Sequence, residues 1–287
     1  MSFTAKLSTA LAAAIAAAVA IAPIAALAVA GWNFPFPRIF DRTLMIALFA
    51  AIAWNARALR LNDLLTAGFN RPVGNLHLAL RGFCLAVAAI AILSAGAILA
   101  GGGLSGLGAV AARIPKYAVA ALFIGVLEEG FFRAFLLGGM SDDFGRRRAL
   151  YFSAAIYALA HLVRSPAHFV VSGYEPGAGL WTLLGSLDQL SHPAVAVPEL
   201  AGLFLLGIVL GEAYLQTGTV YLSIGLHGGF VLGAKLWPKL IEGRSALPGW
   251  LLGVGPVPLI GGVGAWAIAA AILVMLPRLI GESDRQT

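Results

Sequence analysis

A chain of 287 residues in which 60% are hydrophobic and only 11% charged is too apolar for an ordinary soluble domain and reads as a multi-pass membrane protein. The formal net charge of +6 raises the question of nucleic acid, but the arginines lie in short loops between apolar runs. Membrane topology accounts for them there, so no nucleic-acid partner is expected. A lone cysteine, Cys84, excludes an intrachain disulfide.

A helix crosses a bilayer in about 20 residues, and apolar runs of that length or slightly less predict helices near 8–30, 43–56, 82–100, 117–139, 149–163, 198–216, 220–234 and 250–276. The fold class this predicts is all-α, a polytopic bundle of about eight helices. The first run follows Lys6 and imitates a secretory signal, yet it exceeds the roughly 7–15 residues of a signal core and is expected to stay as a helix. The second, fifth and seventh are short and need tilt or shelter among neighbours. The densest basic cluster, Arg146 to Arg148, follows the fourth run and points to a cytoplasmic N-terminus. The longest hydrophilic segment, Arg164 to Pro198, contains "GLWTLLGSL" and several glycines, and is expected to be an irregular or interfacial loop able to cover a site. Trp32, Trp181, Trp237 and Trp250 lie near span ends and suit an interfacial aromatic belt. No repeat or low-complexity linker divides the chain, so residues 1–287 are expected to form a single membrane domain.

Within the runs, the polar residues are Glu128, Glu129 and Arg133 in the fourth, His161 in the fifth, Glu212 in the sixth and His227 in the seventh. An ionisable group in hydrocarbon costs roughly 2.5–3.5 kcal/mol on insertion scales, so those that persist there are paired, inward-facing and functional. Glu129 and Arg133 are four apart and share a helix face, whereas Glu128 points roughly 100° away. Glu128 and His161 each lie about 12 residues, or roughly 18 Å, from the "SDDFGRRR" turn, which puts them at matching depth; His227 falls at roughly 10–12 Å. Three readings stay open on the residues alone. A carboxylate beside histidines can take a proton from water and hydrolyse a bond. Glu128, His161 and His227 can hold zinc with an open position, although no "HExxH" occurs. The same charges can form a structural ion pair or line a transport path. Glu212 is expected to reach water from its helix end, and His77, His168 and His192 to be surface histidines.

The sequence "EEGFFR", Glu128 to Arg133, matches an EExxxR signature; "YALAH", Tyr157 to His161, resembles FxxxH with Tyr for Phe; and Phe204 to Gly228 resembles the region that follows. Together these resemble the CPBP family of intramembrane proteases, which includes the type II CAAX prenyl endopeptidases and bacterial proteins once grouped under abortive infection. The resemblance covers residues 117–234 as a catalytic core. It implies that Glu128 activates water, that His161 helps hold it, that Glu129 and Arg133 are the second acid and its organiser, and that His227 polarises the scissile carbonyl. It implies no cofactor, with zinc as the alternative, and a membrane-associated peptide or protein substrate whose prenylation is not implied.

The family's asparagine four positions after the histidine is replaced by Val231, with Ser223 a candidate substitute donor. Gly207 and Gly211 offer a close helix approach, and Gly228 and Gly229 room for a substrate backbone. The expected activity is endopeptidase; a non-proteolytic scaffold of the same fold and a proton-coupled transporter are the alternatives. Richness in Ala and Gly suits a bacterial inner membrane.

Overall fold

The computed structural model describes residues 1–104, 106–166, 168–242, 248–253 and 260–280. In chain order the helices are α1 (Phe3–Leu27), α2 (Phe36–Trp54), α3 (Leu61–Gly68), α4 (Pro72–Leu99), α5 (Leu107–Ala111) and α6 (Ile114–Glu129). A π-helical stretch, Gly130–Leu137, leads without a break into α7 (Gly138–Phe144). Then come α8 (Arg146–Leu162), α9 (Ala178–Gly185), α10 (Pro193–Thr217), α11 (Tyr221–Leu240), α12 (Gly249–Leu252) and α13 (Val263–Leu279). The all-α class holds; a two-residue antiparallel pairing of Gly103–Leu104 with Ile241–Glu242 is the one departure among the described residues.

Every predicted apolar run carries a helix, and the differences lie at ends. Prolines set several of them, because a first helical turn needs no backbone N–H: Pro37, Pro72, Pro115 and Pro193 all sit there. Thus α4 starts at Pro72, well before residue 82. The eighth helix starts at Val263, not at residue 250; Trp250 lies in α12, and 254–259 fall outside the described residues. The hydrophilic segment after Arg164 contains a helix of its own, α9, built from "AGLWTLLG".

Two compact units emerge, Met1–Asn62 with Leu159–Ala196, and Asp63–Ala158 with Val197–Thr287. In the first, α1 presents a ridge of Ala10, Ala14, Ala18, Ala22 and Ala26, one residue every fourth position and all buried. Small side chains on that stripe admit Phe36 and Phe40 of α2 and, further along, Gly179 of α9 against the Val19 backbone.

In the second unit α11 is the centre. Gly225, Gly229 and Gly233 recur every fourth residue and face α4, where a Cβ on Gly225 would lie 1.9 Å from the Ala79 carbonyl oxygen. Only glycine permits that approach. The neighbouring face of α11 meets Ala121 and Gly125 of α6. Gly207 and Gly211 of α10 pack on Ala154 and Leu150 of α8. Gly145, at φ +77°, turns the chain from α7 into α8.

The outward surface is apolar: Phe49 is 79% exposed, and Val119, Leu122, Phe123 and Leu127 line one exposed face of α6. Helices α1, α4 and α10 are each long and apolar enough to cross a membrane, and α13 is a shorter apolar helix. A surface of this kind is stable in lipid rather than water, and the protein is an integral membrane protein. Trp32, Trp181 and Trp250 are exposed as a belt requires, but Trp237 is buried against Ala97 and belongs to the packing between α4 and α11.

Candidate active site

The face of α6 that carries Ala121 and Gly125 toward α11 carries Glu129 one turn later. The opposing face of α11 carries Ile224 and then His227. Close backbone approach through small residues therefore delivers an acid and an imidazole to each other: His227 Nδ1–H donates to Glu129 Oε1 at 2.8 Å. A carboxylate only accepts, which assigns the hydrogen to Nδ1.

The other oxygen of Glu129, Oε2, lies 3.1 Å from Arg133 Nε, and both side chains are fully buried. The expected i,i+4 pair is thus formed, and it is held by charge rather than by an aligned hydrogen bond. It forms where the helix loosens to π-helical winding from Gly130 onward, a local geometry often found at functional sites. The Arg133 guanidinium stacks on the Tyr157 ring, with Cζ 4.9 Å from the centroid, and lies 5.9 Å from that of Phe132. Arg133 and Tyr157 are equidistant in sequence from the Gly145 turn, which is why they meet across it.

Glu128, the neighbouring acid, is 30% exposed and takes a different position, with Oε2 3.8 Å from His227 Nε2. That separation is too long for a hydrogen bond. The imidazole therefore stands between the two carboxylates, one nitrogen toward each. Tyr157 packs edge-on against the same ring at 6.1 Å and against Phe132 at 5.1 Å.

Of the five residues singled out in the sequence, four, Glu128, Glu129, Arg133 and His227, come together within the second unit. His161 is half-buried in the last turn of α8, four residues after Tyr157, and falls in the first unit. Among the described residues no three His, Cys, Asp or Glu side chains are grouped to hold a metal ion. Ser223 is not available as a donor, because its hydroxyl donates to the Leu210 carbonyl at 2.8 Å. Gly229 is spent on α4, and Gly228 lies beside Ala121 of α6, so both serve helix packing. Glu212 is bonded by Gln216 on its own helix. Tyr157 is the site member that the residue-level reading passed over. Its symmetry with Arg133 about Gly145 was the signal.

A family model described as type II CAAX prenyl endopeptidase Rce1-like matches residues 110–233. No curated protein and no solved structure shows a significant match. The matched segment contains Glu128, Glu129, Arg133, Tyr157, His161 and His227. Residues 110–233 therefore belong to the CAAX-protease-like CPBP family, a family of membrane-embedded proteases.

Proposed function

We propose that the protein is an intramembrane endopeptidase that hydrolyses peptide bonds of membrane-associated substrates with a water activated at Glu128. The observation that carries this is the facing of Glu128 Oε2 and His227 Nε2 at 3.8 Å, with the imidazole fixed from behind by buried Glu129. One water bonded at about 2.8 Å to each of two atoms so placed has ordinary geometry. Glu128 takes its proton, the hydroxide adds to the carbonyl carbon, and the proton passes on to the leaving amine. His227 presents Nε2 toward the reacting carbonyl, Glu129 orients it, and Arg133 balances the charge of Glu129. His161 enters as a second contact to the water through the family motif. The reaction needs no metal. Eight spans with a cytoplasmic N-terminus, in a bacterial inner membrane, complete the reading; substrates come from the same bilayer.

A library of single-span membrane proteins, reconstituted with the protein in lipid vesicles, tests it. Wild type yields products, a metal chelator leaves them unchanged, and Glu128→Gln and His161→Ala each lose about 10²–10⁴-fold in rate. Products that persist in Glu128→Gln, or that vanish with chelator, overturn the mechanism.

Val231 favours a second reading, a scaffold that keeps the fold and binds without cutting. It stands one turn beyond His227 on α11 and offers no donor to a developing oxyanion, a loss that typically costs about 10²–10³ in turnover. Substrate retained uncut by a folded wild type would favour it.

A further inference from the structure

We propose that the Tyr157 hydroxyl is a further catalytic group, donating a hydrogen bond to the substrate carbonyl oxygen as that oxygen takes on negative charge. The inference rests on the proteolytic reading above.

The first ground is position. Tyr157 is 1% exposed, with one neighbour of its ring the Arg133 guanidinium at 4.9 Å and another the His227 imidazole at 6.1 Å. Phenylalanine would fill those contacts as well. A hydroxyl in such a place costs about 1–3 kcal/mol unless hydrogen-bonded, so packing alone does not account for it. Of the charged side chains acting on the phenol, Glu128 acts most strongly, ahead of Arg133 and Glu129.

The second ground is the supply of donors. Glu128 and Glu129 as carboxylates only accept. The Nδ1–H of His227 is committed to Glu129, so Nε2 donates only when the ring is the imidazolium. The Ser223 hydroxyl is committed to Leu210, and Val231 has no polar atom. Arg133 is stacked on Tyr157 and paired with Glu129. Among these side chains the phenol is the neutral group that brings an O–H to the reacting centre.

The step balances without a proton leaving Tyr157. Water gives a proton to Glu128 as its oxygen bonds to the carbonyl carbon, and the carbonyl π electrons move onto oxygen, which accepts the Tyr157 hydrogen bond. When the C–N bond breaks, those electrons re-form the C=O bond and the Glu128 proton goes to nitrogen. The products are an acid and an amine.

The test is Tyr157→Phe, which removes only the oxygen, assayed on single-span membrane proteins in phosphatidylethanolamine–phosphatidylglycerol vesicles with the melting temperature followed in detergent. A fall in kcat of about 10²-fold at unchanged KM and melting temperature is expected. Partial recovery of kcat on adding Val231→Asn to that variant would support the donor role directly. Turnover of Tyr157→Phe at the wild-type rate overturns the inference and leaves the protease reading standing. So does a loss confined to KM with a lowered melting temperature. A folded wild type that makes no product overturns both.

Discussion

Glu129 places two obligations on one carboxylate, with the His227 imidazole on Oε1 and the Arg133 guanidinium beside Oε2, all beyond the reach of solvent. Removing it leaves a buried cation without its counter-charge, a loss of about 3–5 kcal/mol. Glu129→Ala is therefore expected to lower the melting temperature sharply, and adding Arg133→Met to recover most of the stability but no proteolysis. A single variant as stable as wild type would show that the pair is not structural. Part of this arrangement was legible in the sequence. Glu129 and Arg133 are neighbours by helical spacing alone, whereas His227 lies 98 residues beyond Glu129, and no local rule joins them. Ser223 shows the converse, since its spacing from His227 is right but its hydroxyl is taken by a carbonyl on another helix.

At the scale of elements, the decisive contacts are between backbones. Gly82 and Gly96 lie on the same helix, α4, yet a Cβ at Gly82 would come within 2.5 Å of the Leu222 carbonyl oxygen while one at Gly96 meets nothing within 4 Å. Gly82→Ala is expected to destabilise by about 1–3 kcal/mol as α4 and α11 are forced apart. Gly96→Ala is expected to stabilise by about 0.4–1 kcal/mol through the unfolded chain. Thermal melting in detergent separates them, and equal effects would mean that α4 does not seat on α11 through Gly82. The apolar runs made the helices readable, because lipid demands long uninterrupted hydrophobic stretches. Helix partners were not readable. The glycines beside His227 looked like space for a substrate and are contacts with α4 and α6. The π-helical winding after Glu129 was likewise hidden, since hydrophobic periodicity carries no mark of where hydrogen bonds shift by one residue.

For the whole molecule, composition alone identified the solvent. Exposed Phe49, Phe123 and Leu127 are what a protein bathed in hydrocarbon shows, and what a protein in water hides. The units into which the chain divides were less visible, because α8 contributes residues to both and no linker marks the boundary.

The separation of Glu129 from His227 along the chain also sets an order of events at the ribosome. Arg133 emerges four residues after Glu129 on the same helix, so the two charges can enter the membrane as a nearly neutral couple while the rest of the protein is still unmade. The imidazole arrives only with α11, most of a hundred residues later. We predict that a chain arrested after Thr217 inserts its fourth helix, as scored by glycosylation of an added acceptor site, yet releases no product from the substrate library. Cleavage by that arrested chain would contradict the prediction. A growing molecule of this design is harmless to its neighbours in the bilayer, and acquires its reactivity only when its last third is threaded into place.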